Sequence, residues 1–89
     1  MNKINSYIGF AIKSRKVVYG ADNILSSKNC KLIVASTNLV QNTIDKLKTK
    51  NIQIVMVDHS EFQTLNLRGL VVGITDENLS NAIKNNIAQ

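Results

Sequence analysis

"CKLIVASTNLVQNTIDKLKTKNIQIVMV", residues 30–57, is the stretch whose periodicity decides the fold. Its opening, "CKLIVAS" (30–36), is a nearly continuous apolar run, the pattern of a strand covered on both faces. The chain then changes to helical period over residues 38–50, with Leu39, Val40, Thr43, Ile44 and Leu47 as the apolar stripe. The lysines of that segment gather late, where they suit the negative end of a helix. "IQIVMV" (52–57) returns to a buried strand.

The same alternation extends outward in both directions. Upstream, Ile4, Tyr7, Ile8, Ala11 and Ile12 stand at helical spacing and predict a helix over about residues 3–13. "KVVY" (16–19) is a short β-branched strand, and "GADNILSS" (20–27) is a two-turn helix with Ala21, Ile24 and Leu25 on its apolar face. Downstream, "DHSEFQTL" (58–65) opens a helix with Asp58 as the cap and Glu61 three residues on, the spacing of a capping box. "GLVVGIT" (69–75) is a fourth strand, and "DENLSNAIKNNIA" (76–88) a last helix with acids in its first turn. The order α-β-α-β-α-β-α-β-α predicts an α/β fold, a three-layer α/β/α sandwich around a four-stranded mixed sheet. One domain spans residues 1–89.

The charge points to anionic partners. Eleven Lys/Arg against six Asp/Glu give a net charge of +5, and the excess is concentrated early. Residues 1–31 hold six cations and one acid, Asp22. A basic half is a footprint for nucleic acid or anionic lipid; the plainer alternative is a cationic, solvated surface. Cys30 is the only cysteine, which excludes an internal disulfide and suits a small buried apolar side chain. No apolar run approaches the ~20 residues of a membrane span, and no signal peptide is evident, so the expected location is the cytoplasm and no membrane partner is expected.

Catalytic chemistry finds little to work with. Nucleophilic catalysis needs a nucleophile, a base and an orienting group, and the chain has one His and one Cys, well separated. His59, at a strand-to-helix corner beside Asp58, fits a surface or capping role. No metal-ligand cluster and no phosphate-binding glycine loop occurs, so neither a metal nor a cofactor is expected. What remains is the polar end of the sheet, where open α/β sheets bind ligands. Three loops are candidates to converge there: "YGADN" (19–23), "ASTNL" (35–39) and "LNLRG" (65–69). The first two begin helices, whose free N–H groups suit phosphate oxygens. In the third, Leu65 and Leu67 beside Arg68 either cover an unstacked base or turn inward as core.

Three stretches, "INSYIGFAIKSRKVVYGADNIL" (4–25), "CKLIVASTN" (30–38) and "LRGLVVGITDENLSNAI" (67–83), resemble the kink-turn-binding ribosomal protein family, the L-seven-Ae and L-thirty-e group, in its small bacterial YlxQ-like branch. The resemblance runs over essentially the whole chain and implies the same order of elements. It also implies a non-catalytic RNA-binding protein that docks on and stabilises a kinked, non-canonically paired RNA, ribosomal or another kink-turn-like RNA, with ribosome-associated proteins as further partners. The family's RNA-binding turn reads Gly, small, Asn, Glu, two variable residues, Lys. It maps onto Gly20, Ala21, Asp22, Asn23 and Ser26, with Lys28 near the missing Lys. The loop that carries acids in the family is here Ser36, Thr37 and Asn38. The loop that packs on an extruded nucleotide is Leu65, Asn66 and Leu67, followed by Arg68. Lys13, Arg15, Lys16 and Lys31 would form an adjoining basic patch for phosphates. The altered polar pair, in which Asp22 alternatively only compensates a helix start, and the absent Lys keep a rival open: a protein-interaction module on the same fold with weak or lost RNA affinity.

Overall fold

The computed structural model describes residues 3–65 and 69–87. Among the described residues five helices and four strands follow the expected order: α1 (Lys3–Lys13), β1 (Val17–Tyr19), α2 (Ala21–Ser26), β2 (Leu32–Ser36), α3 (Gln41–Lys48), β3 (Ile54–Val57), α4 (His59–Thr64), β4 (Val71–Ile74) and α5 (Glu77–Ile87). β2 and β3 pair in parallel, from Ile33 opposite Ile54 to Ser36 opposite Val57. Parallel neighbours need a crossover, and α3 supplies it. β4 inserts between β1 and β2 and runs antiparallel to both, giving the order β1-β4-β2-β3. The sheet is therefore mixed, with β1 and β3 at its edges.

Strand alternation divides the core into two layers. Leu32, Val34, Val72 and Ile74 face one side, where Ile8 and Ala11 of α1, Phe62 of α4 and Ile83 of α5 cover them. Ile33, Ala35 and Val71 face the other side, against Ile24 of α2 and Leu47 of α3. Every residue of β2 is buried, which is what its unbroken apolar run demands. β3 departs from expectation: as an edge strand it leaves Met56 on the surface, 45% exposed, between buried Val55 and Val57.

Local chemistry sets the helix ends. α1 closes in a Schellman motif, with Lys16 N–H donating to the Ala11 carbonyl (2.9 Å) and Arg15 N–H to that of Ile12 (3.1 Å). Arg15 occupies the left-handed position, φ 58°, where glycine is the usual residue. α3 begins at Gln41, three residues later than its periodicity suggested, because residues 37–40 form a turn: Leu39 N–H donates to the Ser36 carbonyl (3.0 Å) and Val40 stays extended. Leu39 still packs on the second core layer, whereas Val40 is 62% exposed and off the apolar stripe. Lys50 extends back from the end of α3, and its ammonium donates to the carbonyls of Leu25 (3.2 Å) and Ser27 (2.7 Å), closing the C-terminal end of α2.

Asp58 caps α4 as expected, but its carboxylate accepts from the Ser60 amide (3.2 Å) and the Ser60 hydroxyl (2.5 Å); Ser60 takes the place expected for Glu61. Those two donors hold the Asp58 carboxyl below its ordinary range. The stabilisation is therefore present above the unfolded value and is lost as pH falls through the lowered folded value. Cys30 is a buried thiol, and burial pushes its pKa up, so it stays neutral as the expected apolar filler.

Candidate nucleic-acid interface

Strand direction decides which loops meet. Gly20 N–H donates to the Val71 carbonyl (3.3 Å), Ser36 N–H to that of Leu70 (2.8 Å), and Thr37 N–H to that of Val57 (3.0 Å). The turns that follow β1, β2 and β3, and the chain that enters β4, consequently lie at one end of the sheet. The loops after β1 and β2 picked out in the sequence come together there beside Leu70 at the entry to β4, and a further segment, Asp58 and His59, joins them.

The first loop turns on Gly20, whose φ of 87° and ψ of 148° leave α2 without a side-chain cap. Ala21 is half-buried and packs on the second core layer, so it presents backbone rather than side chain. Asp22 and Asn23 are exposed. Asn23 braces the turn by donating its side-chain N–H to the Tyr19 carbonyl (2.8 Å), which leaves Asp22 as the outward-facing group of the pair. Ser26 sits a turn further on, with its hydroxyl directed back to the carbonyls of Asp22 (3.1 Å) and Asn23 (3.2 Å).

In the second loop, Thr37 and Asn38 are exposed, but Ser36 is fully buried and does not face a ligand, contrary to expectation. Its hydroxyl accepts from the Asn38 amide (3.0 Å) and lies 2.8 Å from His59 Nδ1. With the imidazole neutral and protonated on Nε2, the serine O–H donates to Nδ1. His59 is thus neither a cap nor a free surface residue. Its ring ties the ends of β2 and β3 together, and its backbone N–H donates to Thr37 Oγ1 (3.1 Å). The signal was present in the sequence: adjacent parallel strands both end in polar pairs, Ser36–Thr37 and Asp58–His59, and pairing sets those ends side by side. Ser36→Ala should cost about 1–3 kcal/mol, because it strands a part-buried amide and an imidazole nitrogen. Urea unfolding of the two proteins measures the difference.

In the third loop, Leu65 is half-buried and packs against the first core layer, so the inward alternative holds for it. Asn66, Leu67 and Arg68 lie outside the described residues. Leu65 also lines a groove of about 500 Å³ between α1 and the end of α4, shared with Gly9, Phe10 and Lys13.

Of the expected basic patch, Arg15, Lys16 and Lys31 are not beside these loops, whereas Lys13 shares the groove with Leu65. Lys16 O accepts from Thr75 N–H (2.9 Å) and Lys31 N–H donates to the Ile74 carbonyl (2.8 Å), which places both at the opposite end of β4. Four residues of extended chain separate Lys16 from Gly20, about 13 Å at 3.3 Å per residue. Arg15 adjoins Lys16, Lys13 ends the helix before it, and Lys28 follows the far end of α2. The loop end instead carries Asp22, Asp58 and Glu61, all exposed, and no described Lys or Arg within the loops. Among the described residues no group of His, Cys, Asp and Glu is arranged to hold a metal ion. No described helix is long and apolar enough to cross a membrane.

A mixed four-stranded sheet between two helix layers, with polar loops gathered at one sheet end, defines a small three-layer α/β scaffold. Solved structures share it over nearly the whole chain. One is a protein of unknown function from Bacillus halodurans, 18% identical, with a TM-score of 0.85 and 100% of both chains covered. Another is a 15.5 kDa RNA-binding protein from Giardia lamblia, 13% identical, with a TM-score of 0.69 over 96% of this chain and 81% of that one. At these identities the likeness is one of fold. No family model matches the chain, and the search of curated proteins gave no match.

Proposed function

We propose that the protein binds RNA through the loop end of its sheet, docking on a kinked, non-canonically paired RNA of the kink-turn kind, in a ribosomal or other ribonucleoprotein setting. The observation that carries this reading is the meeting of the Gly20 turn with the Thr37–Asn38 loop and the segment entering β4. It is supported by the resemblance of residues 4–25 to the kink-turn-binding family, and by a fold in common with a protein described as RNA-binding. In this role Gly20 and Ala21 bring backbone close to the RNA, the Asp22 carboxylate and the side-chain amide oxygen of Asn23 face base edges, and Thr37 and Asn38 flank them. The protein holds an RNA shape and performs no reaction. A second reading, a protein-docking module, draws on the charge of the same end: Asp22, Asp58 and Glu61 suit a basic protein surface.

Titration of one kink-turn hairpin and one straight duplex of equal length, at fixed salt, separates the two. Preference for the hairpin by tenfold or more is expected. Asp22→Asn should tighten hairpin binding by about 1 kcal/mol, the scale of one like-charge repulsion at contact distance in water, while the duplex gains nothing and the Asn23 brace remains. Equal affinity for both RNAs, or equal gains on both, contradicts shape recognition at this turn and favours protein docking.

A further inference from the structure

The displaced cations form a surface of their own. Arg15, Lys16, Lys28, Lys31, Lys46 and Lys48 are all exposed. Each is tied to the end of the sheet away from the loops. Lys16 and Lys31 flank the end of β4, at Thr75 and Ile74, with their backbones two strand spacings apart, about 10 Å. Lys28 follows α2, whose last carbonyls Lys50 holds. Lys46 and Lys48 fill the last turn of α3, just before Gln53, whose carbonyl accepts from Ile33 N–H (3.0 Å) at the start of β2. Three acids lie near this end, Asp76 and Glu77 at the start of α5 and Asp45 beside Lys46 in α3; the Asp76 carboxylate is engaged by the Leu79 amide (3.1 Å) and that of Asp45 by the Gln41 side-chain amide (2.9 Å). Among the described residues none of these six cations is held in an ion pair. Of the exposed large apolar side chains among the described residues, Val40 and Met56 lie toward the loop end and Phe10 stands in α1, its carbonyl accepting from Ser14 N–H (3.0 Å), so this end offers six cations with a single aromatic beside them.

We propose that this end is a second, sequence-independent binding surface for the phosphate backbone of RNA, so that the protein bridges two RNA segments, one at each end of its sheet. Exposed lysines and an arginine spread over several elements match the chemistry of phosphate contact, in which affinity comes from counterion release and carries no base preference. Arg15 adds a local reason: it sits in a left-handed cap position where glycine is less strained, so its side chain is kept at a conformational cost. The bridging role rests on the loop-end reading above; phosphate binding at the basic end does not.

The test uses the intact protein, a kink-turn hairpin labelled with one fluorophore and a single-stranded RNA of mixed sequence labelled with another. Wild type should bind the single strand with a log–log salt slope of about −2 to −3, three to four phosphates at −0.7 each, and should bring both RNAs into one complex. Lys16→Glu with Lys31→Glu should weaken single-strand binding at least tenfold and abolish the ternary complex, with hairpin affinity kept within twofold. Lys16→Gln with Lys31→Gln should give an intermediate loss, and a thermal melt confirms that each variant folds. Unchanged single-strand binding in the charge-reversed protein overturns the proposal. So does a salt slope near zero, or capture by phosphatidylserine vesicles in preference to the single strand. Failure of the hairpin alone to bind wild type overturns the loop-end reading and the bridge, while single-strand loss on charge reversal still upholds the basic surface.

Discussion

Gly73→Ala is expected to lower stability by about 1–3 kcal/mol, the range for overpacking a filled core. Gly73 lies in the middle of β4 on the face that α2 covers. A Cβ there would meet Cys30 Sγ at 2.7 Å and Ile24 Cγ1 at 3.1 Å. Neither neighbour has room to yield: Ile24 is fully buried, and the Cys30 thiol is buried with its sulfur near the Leu32 carbonyl (3.5 Å). The cause is space, which makes the effect rescuable. Cys30→Ala alone should destabilise by opening a small void, yet in the Gly73→Ala background it should restore stability, with a coupling of about 1–2 kcal/mol between contacting residues. Urea denaturation of the four proteins measures it, and strictly additive losses would show that the sulfur is not the obstacle.

Gly20→Ala should cost a similar amount, about 1–3 kcal/mol, for the opposite reason. Nothing lies within 4 Å of a Cβ at Gly20, so the side chain has room. The backbone, at φ 87° and ψ 148°, is what an L-residue resists. The substitution should therefore shift the start of α2, carry Asp22 and Asn23 with it, and weaken hairpin RNA binding by more than the stability loss alone explains. A D-alanine at position 20, introduced by chemical synthesis of the chain, favours positive φ and should restore both properties. If D- and L-alanine destabilise equally, conformational strain is not the cause.

These two glycines show what could be read in the sequence and what could not. The alternation of apolar runs and helical stripes dictates the layers, because β2 can bury all five of its residues only between two helix sheets. The turn at Gly20 was legible because a strand-to-helix junction with glycine and small polar residues is local chemistry. Gly73 was not, since its requirement comes from Cys30 and Ile24, more than forty residues away in the chain. The late start of α3 escaped because Leu39 and Val40 continue the apolar spacing through residues that are in fact a turn. Ser36 looked like a polar loop residue, but it is the last buried position of β2, and its hydroxyl serves His59.

The charge distribution was the largest misplacement, and its cause is simple. Arg15 and Lys16 stand only a few residues from Gly20, so the sequence suggests a continuous site. Yet β1 crosses the sheet between them, and three strand residues are enough to set cations and turn at opposite ends. Proximity along a strand is separation in space, whereas Thr37 and His59, twenty-two residues apart, are in hydrogen-bond contact.

The central claim is that the loop end of the sheet is where structured RNA docks. Backbone amide chemical shifts of isotopically labelled protein, followed while a kink-turn hairpin is added, test it residue by residue without any substitution. The perturbed amides should gather at Gly20, Ala21, Asp22, Asn23, Thr37, Asn38 and His59. Perturbations confined to Lys16, Lys31 and Thr75 at the other end, or no shifts at all at a saturating ratio of hairpin to protein, would contradict it.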